Sequence, residues 1–212
     1  MVVIQVALDF VNKYDAFKVA EEVARENVWI EAGTPLIKSQ GVAILRELKD
    51  RYPDQVIVAD MKTFDAGSVE AGLAFSNGAD VTTVMGLADD ATIEDVVKKA
   101  KEYKKRVMVD MMGVQDPLKR GEKVFDIGAD ILCLHVGVDV QRKLGVNPNI
   151  LASYVRKIKE TLDAQVAVAG GITDETAKIY HRANADIIIV GKYIIHSENP
   201  AKALEKLIRS LG

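Results

Sequence analysis

A chain of 212 residues, 49% hydrophobic and 28% charged, has the balance of an ordinary globular protein and the length for one well-buried core, which excludes disordered and collagen-like classes. The formal net charge is −3 and no basic stripe is present, so nothing points to nucleic acid or an acidic membrane surface, and a bound phosphate has to be met locally. The single cysteine, Cys133, excludes an intramolecular disulfide and reads as a small buried hydrophobe within Ile131-Leu132-Cys133-Leu134.

The opening residues Met-Val-Val-Ile-Gln-Val-Ala-Leu-Asp lack the basic start and long apolar core of a secretory signal, and no apolar run approaches a membrane span. A cytoplasmic protein is the expectation. Short runs rich in Val and Ile then recur, each followed by a stretch of helical periodicity, as in βαβ units with a parallel sheet. In chain order the predicted strands are Val3 to Leu8, Val28 to Glu31, Val56 to Ala59, Val81 to Met85, Arg106 to Asp110, Ile131 to His135, Val166 to Ala169 and Ile187 to Val190. Eight such units predict an α/β fold, a (β/α)₈ TIM barrel, in a single domain over residues 1–212.

Local punctuation agrees with that reading. Thr34-Pro35 and Asp116-Pro117 each place a capping side chain before a proline at the first helical position. Gly78-Ala79-Asp80, Gly128-Ala129-Asp130 and Asn184-Ala185-Asp186 each end a helix and open an even-numbered strand. Gly or Asn there suits a left-handed helix-terminating residue, and these turns belong to the barrel bottom, where they serve stability. The rival architecture, an open doubly wound sheet, usually carries Gly-x-Gly-x-x-Gly after its first strand; here Asp9, Phe10 and Val11 follow instead.

Polar residues stand at nearly every strand's C-terminal end: Asp9, Glu31, Asp60 with Lys62, Asp110, His135, Gly170-Gly171 and Gly191-Lys192. In a barrel these ends converge on one mouth, where the active sites of this fold are built. Any one acid there can instead cap the next helix. Asp60 and Lys62, two apart in an extended chain, share one face, and Asp65 follows after a turn, where it can also cap the helix opening at Ala66. Glu31 and Asp60 end neighbouring strands about 5 Å apart, so both carboxylates can reach one hard cation, for which Mg²⁺ is the natural candidate. His135, at the end of strand six, can move protons near neutral pH, whereas most histidines in apolar strands are core residues. His181, in the last turn of a helix, suits the helix dipole, and His196 reads as a solvated loop residue. Glycines at 170, 171 and 191 let backbone N–H groups approach a phosphate, with Lys192 beside them.

The whole set resembles the orotidine 5′-monophosphate decarboxylase suprafamily and, within it, the 3-hexulose-6-phosphate synthase branch. The carriers are Val6-Ala7-Leu8-Asp9, Glu31-Ala32-Gly33-Thr34-Pro35-Leu36, Asp60-Met61-Lys62-Thr63-Phe64-Asp65-Ala66-Gly67, Val84-Met85-Gly86, Val109-Asp110, the run His135 to Gln141, Ala169-Gly170-Gly171-Ile172 and Val190-Gly191. That resemblance implies a Mg²⁺-dependent carbon–carbon lyase that joins formaldehyde to D-ribulose 5-phosphate, giving D-arabino-hex-3-ulose 6-phosphate, or the reverse, through a 1,2-enediolate. It implies Glu31 and Asp60 as metal ligands, Lys62 at the enediolate oxygens, His135 as acid or base, Asp110 orienting substrate, and Asp9 and Asp139 binding the sugar. Gly170, Gly171, Gly191 and Lys192 would bind phosphate. Asp65 would reach a neighbouring subunit's site in a homodimer with shared active sites, and functional coupling to 6-phospho-3-hexuloisomerase is implied as well. Two other readings stay open: 3-keto-L-gulonate-6-phosphate decarboxylase, from whose usual Glu and Arg this chain departs at Asp110 and Asp139, and a silent phosphosugar-binding sensor.

Overall fold

The computed structural model describes residues 2–145 and 147–212. Its strands are β1 (Val3–Leu8), β2 (Val28–Ala32), β3 (Ile57–Thr63), β4 (Val81–Met85), β5 (Arg106–Asp110), β6 (Ile131–His135), β7 (Gln165–Ala169) and β8 (Ile187–Val190). All pair in parallel with their sequence neighbours, and β8 pairs back onto β1, which closes the barrel. The helices are α1 (Lys13–Val23), α2 (Thr34–Gln40), α3 (Ala43–Arg51), α4 (Gly67–Ser76), α5 (Asp90–Tyr103) and α6 (Pro117–Ile127). They continue as α7 (Val138–Leu144), α8 (Pro148–Thr161), α9 (Asp174–Arg182), α10 (Lys192–Ile195) and α11 (Pro200–Leu211). None of the described helices is long and apolar enough to cross a membrane.

The strands are nearly continuous runs of Val, Ile and Ala because both of their faces are covered. Alternate residues split between two cores. Ala7, Val58, Met108, Ile131, Cys133 and Ala167 point into the barrel, whereas Ile30, Val84, Leu132, Leu134 and Val168 point out against the helices. Burying each large aliphatic side chain stabilises the fold by about 1.5–3 kcal/mol before chain entropy is counted. At the barrel bottom the Arg106 guanidinium lies 4.5 Å from the centre of the Trp29 ring, an arrangement that closes this end with a cation–π contact.

The three related turns build one recurring latch. Gly78, Gly128 and Asn184 all have positive φ, the left-handed terminator expected there. The aspartate two residues on then accepts an N–H from the start of the preceding strand, its first residue in one case and its second in the other two: Asp80 from Ile57 at 3.0 Å, Asp130 from Val107 at 2.7 Å, Asp186 from Val166 at 2.7 Å. Lysines complete two of the latches. Lys49 Nζ donates to Asp80 Oδ2 and Gln55 O, and Lys159 Nζ repeats the pattern with Asp186 Oδ2 and Ala164 O.

Two local expectations need correction. Asp116 caps α6 by accepting from Lys119 N, but α2 is preceded by Gly33 at its N-cap, with Thr34 already inside the helix. Thr34 Oγ1 donates instead to Asp60 O and Asp60 Oδ2, at 2.8 and 2.7 Å. The chain around Lys62 is also not simply extended. Strand β3 runs on to Thr63 through a register irregularity, and Lys62 takes φ 48°, a conformation disfavoured for any residue with a Cβ.

Candidate active site

The C-terminal strand ends open onto a cavity of about 1150 Å³. Asp9, Glu31, Asp60, Lys62, Asp110, His135, Asp139, Gly170, Gly171, Gly191 and Lys192 all line it. The fold thus brings together eleven of the twelve residues singled out in the sequence. Asp65 is the exception within one chain: it is exposed, and its Oδ1 accepts from Ala66 N at 2.7 Å at the start of α4.

The centre of the site is a connected polar chain. Lys62 Nζ lies 2.6 Å from Asp60 Oδ2 and 3.5 Å from Asp110 Oδ2, and Asp110 Oδ2 lies 2.8 Å from His135 Nδ1. The β3 irregularity still lets Lys62 meet Asp60, because Lys62 N–H leaves the strand ladder and donates to Thr83 Oγ1 at 2.9 Å. Thr83 Oγ1 in turn donates to Asp60 Oδ1 at 3.0 Å. Strained backbone of this kind costs of order 1–3 kcal/mol and persists where surrounding bonds fix it, as Thr83 and Asp60 do here.

Charge balance in the mouth is uneven. Burial of Glu31, followed by repulsion from Asp60 and Asp9, pushes its carboxyl well above the ordinary range. Asp9 stands at the rim, where partial desolvation and then Asp60 raise it as well. Burial acts against the Lys62 ammonium, but Asp60 and Asp110 outweigh it and hold the group above the usual lysine range. Asp110 goes the other way: burial opposes its charge, and hydrogen bonds from His135 and Met112 N, with Lys62 nearby, more than offset that and keep it ionised.

Glu31 and Asp60 sit on adjacent strands and face one cavity, two carboxyl groups set against the single ammonium of Lys62, a donor set that suits a hard divalent cation. Among the described residues no three His, Cys, Asp or Glu side chains converge as a metal-holding group. A cation here would therefore take these two carboxylates and complete its shell with water and ligand oxygens, as Mg²⁺ commonly does.

On the opposite wall Gly170 and Gly171 have φ 112° and 66°, and a Cβ on Gly170 would lie 2.5 Å from Val136 O. Only glycine fits there. The turn leads into α9, whose first turn is closed by a capping box between Thr173 and Thr176. Lys192 at the start of α10 and His196 just past its end flank this wall; His196 is solvent-exposed outside the helix, as expected, and borders the cavity.

Three contributors went unnoticed in the sequence: Gln5, Thr34 and Thr83, all lining the cavity and each bonded to Glu31 or Asp60. A polar residue at an inward position of an apolar strand was the available signal for Gln5 and Thr83. The Thr34-Pro35 pair carried a capping explanation that concealed the role of Thr34.

The orotidine 5′-phosphate decarboxylase / HUMPS family matches residues 3–207. The chain is 38% identical over 204 residues to the 3-hexulose-6-phosphate synthase of Mycobacterium gastri, covering 96% of this chain and 97% of that protein. A crystal structure of a 3-hexulose-6-phosphate synthase superposes with TM-score 0.94 at 37% identity, covering 99% of this chain and 100% of the other. The 3-keto-L-gulonate-6-phosphate decarboxylase of Vibrio cholerae superposes with TM-score 0.88 at 27% identity, over 99% of this chain and 97% of that one. The chain belongs to the orotidine 5′-phosphate decarboxylase / HUMPS family.

Proposed function

We propose that this chain is a 3-hexulose-6-phosphate synthase, a carbon–carbon lyase that interconverts D-ribulose 5-phosphate plus formaldehyde with D-arabino-hex-3-ulose 6-phosphate. The observation that carries this reading is the Asp60–Lys62–Asp110–His135 chain, in a protein 38% identical over nearly its whole length to a synthase. The decarboxylase alternative has support at 27% identity, and Asp110 and Asp139 depart from its usual residues.

The chemistry follows from the geometry. With Nδ1 facing Asp110, the Nε2 atom of His135 is the one left to exchange protons with substrate. It takes the proton from C1 of ribulose 5-phosphate, and the electron pair flows into the C2 carbonyl as a 1,2-enediolate. C1 then bonds the formaldehyde carbon, and the new alkoxide takes a proton. Lys62, held cationic by two carboxylates, stabilises the negative charge that develops on the sugar oxygens. Mg²⁺ held by Glu31 and Asp60 would supply electrophilic stabilisation of the same oxygens. Asp9 and Asp139 border the cavity where the sugar hydroxyls lie, and Gly170, Gly171, Gly191 and Lys192 receive the phosphate.

The reading includes a homodimer. Phe64, Val69 and Leu73 are exposed at 60%, 63% and 44% on and beside α4, next to Asp65. An apolar face of this kind suits a second copy, which would receive Asp65 in its own mouth. Carbon-13 formaldehyde tests the reaction: incubated with ribulose 5-phosphate, Mg²⁺ and protein, it gives a labelled hydroxymethyl carbon in a hexulose phosphate. An NMR signal confined to free formaldehyde overturns the assignment.

A further inference from the structure

Gln5 lies in the middle of β1 with its side chain fully buried inside the barrel, below the mouth. Apolar residues, among them Ala7, Trp29, Val58 and Ile189, share this interior. An amide placed there has to be satisfied, since each unmet polar group costs about 1–3 kcal/mol. Its Oε1 has no hydrogen-bond partner among the described residues. Its Nε2 donates to Glu31 Oε2 at 2.5 Å, the one side-chain hydrogen bond that the carboxylate receives among them. An apolar side chain of the same length would fill the space without that penalty, so packing alone does not account for glutamine at this position.

We propose that Gln5 is a positioning residue for the cation site: its Nε2–H fixes the Glu31 carboxylate, engaging Oε2 and leaving Oε1 to face the ion. The inference rests on the reading of Glu31 and Asp60 as cation ligands. Asp60 shows the same design, since Thr34 and Thr83 donate to its two oxygens. Among the described residues Glu31, on the neighbouring strand, has Gln5 alone. An outer hydrogen bond to a metal-ligating carboxylate sets its rotamer before the ion arrives, and losing such a partner typically lowers affinity by 10–100-fold.

The test uses Mn²⁺ alone, titrated into the metal-stripped full chain and followed by electron paramagnetic resonance of the free ion. Gln5→Met keeps an unbranched side chain and removes the donor. The expected result is a dissociation constant raised about 10–100-fold, with the KM for ribulose 5-phosphate at saturating Mn²⁺ changed by less than about threefold. The melting temperature without metal should change little, since relief of the unmet Gln5 Oε1 offsets the hydrogen bond that Glu31 loses. In a Glu31→Gln background the same substitution should change Mn²⁺ affinity no further. If wild type binds Mn²⁺ and Gln5→Met binds it equally well, Gln5 has no such role while the ligand assignment stands. Failure of wild type to bind Mn²⁺ removes the ligand assignment itself. Should Gln5→Met not fold, Gln5→Leu answers the same question, and unfolding of both assigns Gln5 a structural role and overturns the proposal.

Discussion

His135 Nδ1 lies 2.8 Å from Asp110 Oδ2, and that contact decides which imidazole nitrogen is free to handle protons. Asp110 is 3% exposed and tied by Met112 N–H as well, so it orients the ring from a fixed position. His135→Ala should lower kcat by about 10²–10⁴-fold with little change in KM. Asp110→Asn, which no longer favours one tautomer, should also lower kcat at constant metal affinity. Steady-state kinetics on both variants checks the assignment, and a wild-type kcat in either refutes it.

Gly170 supplies a separate test at the phosphate wall. Its φ of 112° and the nearby Val136 carbonyl leave no room for a methyl group. Gly170→Ala should raise the KM for ribulose 5-phosphate by about tenfold or more, the equivalent of one lost charge-assisted contact. A larger effect on kcat than on KM would place the turn in the chemistry and not in binding.

Asp80 connects the barrel bottom to pH. Burial would raise its carboxyl, but the Ile57 N–H together with Lys105 and Lys49 more than offsets this and lowers it below the ordinary aspartate range. Because the folded value is depressed, its contribution to stability is present above the unfolded value of about 4 and is lost as pH falls through the folded value. Asp80→Asn should therefore cost about 1–2 kcal/mol at neutral pH, and denaturant melts of the two proteins should converge in acid. A gap that stays constant down to acid pH contradicts the latch.

Asp65 tests the second copy. If it acts across an interface, Asp65→Asn and His135→Ala carry their defects in different chains of the same site. Mixed and allowed to exchange, the two inactive variants should recover about a quarter of wild-type activity, since half the dimers are mixed and one of their two sites is intact. Mixtures that stay inactive after subunit exchange contradict action of Asp65 across the interface.

The alternation of apolar runs with helical stretches made the barrel legible, and the rule that its strand ends converge made the mouth legible too. Glu31, Asp60, Asp110 and His135 stood out because charge at the end of an apolar strand has few structural uses. Gln5, Thr34 and Thr83 did not, because small or neutral polar residues have local explanations such as caps and strand propensity, and their bonds to Glu31 and Asp60 join residues 23 to 26 apart in the chain. The left-handed turn at Lys62 was equally hidden, since it depends on Thr83 receiving an N–H that a regular ladder would have used.

Formaldehyde consumption is the most direct measurement. Purified protein with ribulose 5-phosphate and Mg²⁺ should remove formaldehyde at an enzymatic rate, the metal-stripped protein should not, and restoring Mg²⁺ should restore the rate. Formaldehyde that persists unchanged in every sample would contradict the synthase assignment, and a rate indifferent to metal removal would contradict the role given to Glu31 and Asp60.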